Sequence, residues 1–147
     1  MSGIRSLGYL RIEATDPNAW REFGTKLLGM TEGRGPEPDA VYLRMDDFPA
    51  RLVIVGGETD RLLTSGWEVA SQAELAALGA RLDAAGVPAK AGTLEELALR
   101  RVAGMIRFDD PSGHALEVFW GRHSTTGLLS APMVFGFVTG NYGRGTW

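Results

Sequence analysis

The sequence contains no cysteine among its 147 residues, which excludes disulfide bonds, thiolate metal sites and cysteine nucleophiles. Histidine is also rare, with two copies, and no apolar run approaches the roughly 20 residues that a membrane span needs. Residues 1–5 lack the apolar core of a signal peptide. We therefore predict a soluble, cytoplasmic protein without a membrane partner.

The charge of the chain is low and evenly spread. The formal net charge is -3, with neither a basic stripe that would indicate nucleic-acid binding nor an acidic block typical of a disordered tail. A length of 147 residues and a hydrophobic content of 44% allow one domain of ordinary size with its own core. We expect no nucleic-acid partner.

The first half of the chain has the pattern of a strand, a helix and further strands. Residues 7–14 alternate between apolar and polar side chains, as in a half-buried strand. Asp16 and Pro17 are typical of a helix start, and Gly29 of a left-handed helix end. Trp20 and Phe23 are core residues by their helical period. Two or three more strands are predicted, with candidates at residues 30–32, 41–45 and 51–55.

The second half repeats this plan. Residues 62–70 resemble a strand, and Ser71 with Glu74 forms the capping-box pattern of a helix that ends at Gly86. Thr93 and Glu96 form a second capping box, before a brief additional helix. Strands are predicted at residues 87–91, 103–108 and 115–120. The sequence therefore predicts an α+β fold of two βαβββ modules, at about residues 1–60 and 61–121.

Residues 122–147 have a different composition, rich in glycine, serine and threonine, with no sustained hydrophobic period. This composition indicates a linker, in which residues 135–138 form either a strand or a docking segment. A partly ordered terminus explains the pattern equally well.

Several segments together carry a family resemblance. They read IRSLGYL at residues 4–10, LLGM at 27–30, YLRMDDFPARL at 42–52, DPSG at 110–113 and FVTG at 137–140. On these segments the chain resembles the N-terminal domain of class I extradiol ring-cleavage dioxygenases, which open 2,3-dihydroxybiphenyl or the catechol ring of a seco-steroid.

The resemblance implies the vicinal oxygen chelate superfamily, which includes glyoxalase I and bleomycin-resistance proteins. Its paired modules form a cup-shaped mixed sheet with helices on the outer face. The dioxygenases carry two such domains, and the C-terminal one holds Fe(II) on two histidines and a glutamate. On this basis residues 1–121 form a single metal-free domain, and residues 122–147 resemble the start of a missing second domain. Thr146 stands where its first iron-binding histidine is expected; a truncation and a paralogue that lost its catalytic half both remain open.

The ligand positions of a metal cup fall at Tyr9, at Thr64, at Ala50 or Arg51, and at Glu117. Of these, Glu117 alone suits Fe(II), which in such enzymes needs two imidazoles and one carboxylate. His114 lies three residues before Glu117, so on a regular strand it points to the opposite face. We expect no metal, no cofactor and no catalytic residue in this chain. Glu117 and His114 remain the metal candidates, since His123 lies beyond the strand.

We predict a polar cup interior lined by Tyr9, Arg11, Glu13, Arg51, Thr64, Glu68 and Glu117. If its three glutamates met, they would form an oxygen-ligand site for a divalent cation. The preferred interpretation is a salt-bridged interior in which Arg11, Arg51 and Arg107 oppose the three acids.

Three functions follow as hypotheses. The first is the non-catalytic N-terminal domain of an Fe(II)-dependent extradiol dioxygenase of aromatic-compound or steroid degradation, a family of oxidoreductases, inactive alone because it lacks the triad. The second is a stand-alone, bleomycin-resistance-like module that binds a small aromatic or hydrophobic ligand. The third is a metal-dependent enzyme assembled across a homodimer with Glu117 and His114. Because an isolated half exposes the surface that met its partner, we also predict a homo-oligomer, as a dimer.

Overall fold

The computed structural model describes residues 3–122, which form two modules that share the order strand, helix and three strands, the second with an additional short helix. The first module contains β1 (Ser6–Ala14), α1 (Pro17–Glu22), a π-helical turn (Phe23–Leu27), β2 (Thr31–Gly33), β3 (Val41–Arg44) and β4 (Leu52–Gly56). The second contains β5 (Arg61–Glu68), α2 (Gln72–Ala84), β6 (Lys90–Ala91), α3 (Leu94–Arg100), β7 (Gly104–Asp109) and β8 (Ala115–Trp120).

All eight strands belong to one mixed sheet, in the order β2-β3-β4-β1-β5-β8-β7-β6. In each module the first strand pairs in parallel with the last, β1 with β4 and β5 with β8. The antiparallel pair of β1 and β5 joins the modules. The predicted α+β fold of two βαβββ modules is therefore confirmed.

The helices α1 and α2 cover one face of this sheet. α1 contacts β3 and β4, and α2 contacts β7 and β8. Because side chains alternate along a strand, Val118 and Trp120 face α2 whereas Glu117 and Phe119 point to the opposite face. We call this opposite face the cup.

Local signals explain where the helices begin and end. The Asp16 carboxylate accepts from the Ala19 N–H at 3.2 Å, and the Ser71 hydroxyl accepts from the Glu74 N–H at the same distance. The capping box of Thr93 and Glu96 is complete, with bonds in both directions. Gly29 and Gly86 adopt the predicted left-handed conformation, with φ of 73° and 77°.

The π-helical turn at Phe23–Leu27 was not predicted. The Leu28 N–H donates to the Phe23 carbonyl at 3.1 Å, a wider loop than that of an α-helix, which changes the directions of the following side chains. Trp20 packs against the core, whereas Phe23 is 44% exposed and Leu27 75% exposed. The predicted burial of Phe23 was therefore wrong.

Among the described residues, no helix is long and apolar enough to cross a membrane. The predictions made for residues 123–147, including the segment at 135–138, His123 and Thr146, lie outside the part of the chain that the structure describes.

Candidate functional site

The centre of the cup is a buried carboxylate. Glu117 on β8 is 1% exposed, and Arg100 binds it in a bidentate pair. Arg100 Nε lies 2.7 Å from Oε1, and Arg100 Nη2 lies 2.7 Å from Oε2. The Tyr9 hydroxyl donates to Oε1, and Arg107 Nη2 lies 3.4 Å from Oε2. Glu117 is thus held by three donor side chains from β1, α3 and β7.

These contacts fix the protonation states. Burial alone would raise the pKa of Glu117, but the hydrogen bonds and charge of Arg100 outweigh it, so this pKa lies below its usual value. Burial, together with the negative charge of Glu117, raises the pKa of the Tyr9 hydroxyl. Glu117 is therefore a carboxylate and Tyr9 a neutral donor at physiological pH.

Strand β7 positions Arg107, and helix α3 positions Arg100. Arg107 lies directly opposite Glu117 in the register of β7 and β8. It also binds Glu96 at 2.6 Å. The Thr93 N–H and then Arg107 lower the pKa of Glu96 to about 2. Glu96 therefore ties the start of α3 to β7, while Arg100 at the end of α3 reaches Glu117.

A third arginine, Arg122, lies in the cup just after the end of β8. Arg122 is 8% exposed, and its guanidinium lies 4.6 Å from the ring centroid of Phe48 and 5.6 Å from that of Tyr9. It donates to the Gly8 carbonyl at 2.6 Å and also to the Ala50 carbonyl. Burial, with the nearby charge of Arg51, lowers the pKa of Arg122 to about 10, so it stays cationic at neutral pH.

The space left in the cup is small. A cavity of about 30 Å³ remains beside Tyr9, Arg100 and Arg122. Pockets for drug-sized ligands measure about 300–1,000 Å³, so an aromatic ligand does not fit here. A larger, open groove of about 410 Å³ runs past Leu7, Leu10, Met30, Met45 and Leu52.

Comparison with known proteins places this geometry in a family. The family model described as dihydroxybiphenyl dioxygenase BphC D1 matches residues 7–57, which cover the first module. An iron-dependent extradiol dioxygenase of Rhodococcus jostii (strain RHA1) is 58% identical over 142 residues, spanning 97% of this chain and 47% of the relative. The chain is similar to one half of extradiol dioxygenases, and its first module to the first domain of dihydroxybiphenyl dioxygenase.

Other relatives agree with this assignment. A biphenyl-2,3-diol 1,2-dioxygenase of Sphingomonas paucimobilis is 36% identical over 148 residues, covering 99% of this chain and 50% of the relative. A solved catechol 2,3-dioxygenase is 35% identical with a TM-score of 0.82, over 90% of this chain and 43% of that one. This extradiol dioxygenase homologue thus spans about half the length of the curated relatives it matches.

The iron of the family does not fit the donor set of this cup. Both oxygens of Glu117 already accept from cationic or hydroxyl donors, and a guanidinium repels a metal ion. His114, the histidine within residues 3–122, lies in a turn with its side chain 70% exposed and its Nδ1 3.5 Å from Asp110. The structure therefore does not bring the candidates Glu117 and His114 together. Nowhere in residues 3–122 do three or more of the usual metal-binding side chains form a group.

Within residues 3–122 the three glutamates Glu13, Glu68 and Glu117 do not gather in one group, so the oxygen-ligand cation site is not formed. Glu13 lies opposite Arg61 at one end of the pair of β1 and β5, and it accepts from Arg61 at 2.7 Å. Glu68 lies opposite Ser6 at the other end, where it accepts from the Ser6 hydroxyl at 3.3 Å. Glu117 alone of the three enters the buried network.

The other residues predicted to line the cup have separate partners. Arg11 borders the cavity and pairs with Glu37 at 2.9 Å, and Thr64 donates to the Ala115 carbonyl at 2.9 Å. Arg51 pairs with Asp46 at 2.5 Å. Of the three arginines expected to oppose the glutamates, Arg107 does so at Glu117, and Arg11 and Arg51 do not.

Sequence reasoning missed Arg100 and Arg122, which hold the site together. One signal pointed to Arg100: a carboxylate within an apolar strand needs a buried cation, and the capping box at Thr93 fixes where the nearby helix begins. No comparable signal pointed to Arg122, whose partners Gly8 and Ala50 lie far from it in sequence.

Proposed function

We propose that this chain serves as the non-catalytic first domain of an iron-dependent extradiol dioxygenase and binds no iron or other cofactor itself. The observation that carries the proposal is the bidentate pair between Arg100 and Glu117. This pair occupies both oxygens of Glu117, the residue suited to Fe(II) among the predicted ligand positions. The domain would then support an iron-bearing domain and be inactive alone.

The substrate class follows from the relatives and is part of the proposal. Their names include biphenyl-2,3-diol and 1,2-dihydroxynaphthalene dioxygenases, which indicates catechols that carry a second ring, formed during aromatic-compound or steroid degradation. Residues 1–121 would form the domain and residues 122–147 would lead into the second one, in a cytoplasmic enzyme.

We also propose that the domain assembles as a homo-oligomer, with a dimer as the simplest form. Exposed apolar side chains support this, since Leu27 is 75% exposed and Leu28 53% exposed beside Phe23. Such a patch is typical of a surface that another chain covers.

The test is complementation. The chain is produced alone, incubated anaerobically with Fe(II), desalted, and assayed for metal content and for cleavage of 2,3-dihydroxybiphenyl. We expect substoichiometric iron and no cleavage. The remaining half of the Rhodococcus jostii relative is then added. We expect the two to co-elute in size-exclusion chromatography and to cleave the catechol faster than that half alone. Stoichiometric iron with cleavage by the chain alone would contradict the proposal.

A second function is favoured by the open groove of about 410 Å³, which is large enough for an aromatic ligand. In this alternative the chain is a stand-alone binding module. A ligand that binds the native state raises the melting temperature by mass action. Catechol or biphenyl should then raise Tm, and Met30→Ala should weaken the effect more than Leu94→Ala, because Leu94 is exposed and lies outside the groove.

A further inference from the structure

Helix α3 lies over the cup and makes few apolar contacts with it. All seven of its residues are exposed or half-buried, and Leu94 is 86% exposed. Leu97 packs against the buried cluster that contains Tyr9 and Met105. By contrast, α2 has 13 residues and buries Leu75 against the sheet. A helix as short as α3 is not stable by itself in water, so its contacts with the cup must hold it in place.

Two ion pairs attach α3 to the sheet. Glu96 binds Arg107 of β7 at 2.6 Å, and Arg100 binds Glu117 of β8 at 2.7 Å. A buried pair contributes little net free energy, because the desolvation of both charges offsets their attraction. When one partner is deleted, the other charge stays buried without a partner. When α3 moves away, both partners return to water, so the pairs oppose this movement less than they oppose a deletion.

The two ends of α3 differ from ordinary helix flanks. At the start, Gly92 permits a close approach, since a Cβ there would lie 2.5 Å from Met105 Cγ. At the end, Arg101 has φ of 56°, a left-handed backbone that is unfavourable for a residue with a side chain. Its side chain donates to the Arg34 carbonyl at 3.2 Å, which holds it there. Opening α3 breaks this bond and lets Arg101 leave the unfavourable conformation.

We propose that α3 is a lid, which opens as one unit about its two ends while the eight-stranded sheet stays folded. Opening removes Arg100 from Glu117, exposes the Glu117 carboxylate and the Tyr9 hydroxyl to solvent, and enlarges the cavity of about 30 Å³ beside Tyr9 and Arg100. The open state is a minor population, as is usual for the least stable unit of a domain. The inference holds whether or not the chain supports an iron-bearing domain.

Hydrogen exchange of the 147-residue chain, followed by mass spectrometry, tests the lid. Amides of residues 97–102 are bonded within α3 and its end, and they should exchange at least about 100-fold faster than those of β1 and β5. Gly24→Ala crowds Leu43 outside the lid, so it should accelerate exchange in the sheet by about 5–150-fold and leave α3 unchanged. Equal acceleration in α3 would show that α3 opens only with the whole fold, which overturns the proposal.

A second variant makes this result independent of whether Gly24→Ala folds. Gly79→Ala lies in α2, where the added Cβ meets open space, and it should stabilise the fold outside the lid. Exchange in the sheet should then slow, whereas exchange in α3 should stay as in the wild type. A parallel slowing in α3 would contradict independent opening.

A thiol probe distinguishes a lid from a helix that only frays. Because the chain has no cysteine, Met105→Cys places a single thiol beneath α3, and Val118→Cys places one beneath α2; both residues are 2% exposed. Met105→Cys should react with iodoacetamide at least about 100-fold faster than the unfolding equilibrium of that variant allows, and Val118→Cys no faster than its own. If both thiols reacted only through global unfolding, α3 would fray without uncovering the cup, and the lid would be refuted.

Discussion

The buried ion pair makes a quantitative prediction for Glu117→Gln. This change keeps the shape of the side chain but removes the charge that neutralises Arg100, whose side chain is 9% exposed. One Arg100 N–H group would then face the amide donor of glutamine instead of a carboxylate oxygen. Breaking a buried pair by removing one partner costs about 3–5 kcal/mol, mostly because the remaining charge stays buried and unpaired.

The assay is urea unfolding followed by tryptophan fluorescence. With a slope of about 2 kcal/mol per molar urea, a loss of about 4 kcal/mol lowers the unfolding midpoint by about 2 M. Glu32→Gln is the matched control, since its exposed pair with Arg21 should contribute about 0–1 kcal/mol. If Glu117→Gln fell within about 1 kcal/mol of the wild type, the assignment of Glu117 as a buried counter-ion would be refuted.

A double variant separates charge burial from packing. Combining Glu117→Leu with Arg100→Met removes both charges, and such replacements are often neutral or stabilising. We expect the double variant to be more stable than Glu117→Gln. If the double variant were less stable, packing around Glu117 rather than its charge would be the cause of the loss.

The same pair predicts a dependence on pH. Because folding lowers the pKa of Glu117, its contribution to stability is present above the unfolded glutamate value of about 4.3 and is lost as pH falls through the lower folded value. The difference in unfolding free energy between the wild type and Glu117→Gln should therefore shrink as the pH falls below about 4.

Three further predictions concern single substitutions. A Cβ at Gly24 would lie 2.5 Å from Cδ1 of the fully buried Leu43, so Gly24→Ala should destabilise the fold by about 1–3 kcal/mol in calorimetry. Gly79→Ala in α2 meets open space and should stabilise it by about 0.5–1 kcal/mol; the opposite order would contradict these contacts. Glu96→Gln should remove a contribution that is present above pH of about 4.3 and is lost as pH falls toward the folded pKa of about 2. Equal acid-unfolding curves for this variant and the wild type would show that Glu96 does not contribute.

The parts of the fold that depend on neighbouring residues were predictable from the sequence. Helix starts at Asp16, Ser71 and Thr93 and left-handed ends at Gly29 and Gly86 rest on side chains within a few positions of each other. Because such signals occur in both halves of the chain, they also predict that the arrangement of strands and helix is duplicated.

The parts that depend on distant contacts were not predictable. At the π-helical turn, Gly24 packs directly on Leu43 of β3, and no local pattern contains that contact. The site shows the same division. Glu117 was recognised from its place in an apolar strand, but its pairing with Arg100 depends on how α3 lies over the sheet.

Each module has an ion pair between a connection and a strand of the cup. The connection supplies the acid in the first module and the arginine in the second. In the first module, the connection between β2 and β3 brings Glu37 over Arg11 of β1. In the second, the connection between β6 and β7 contains α3 and brings Arg100 over Glu117 of β8. Each connection thus supplies one side chain to a bidentate ion pair above the sheet. A cavity of about 30 Å³ lies beside Arg11 and Arg100, the arginines of the two pairs. A metal ion could take Glu117 as a ligand only by separating its buried pair with Arg100, at about 3–5 kcal/mol. The ion pairs that occupy the cup therefore support the proposal that this domain assists a neighbouring domain and does not hold a substrate.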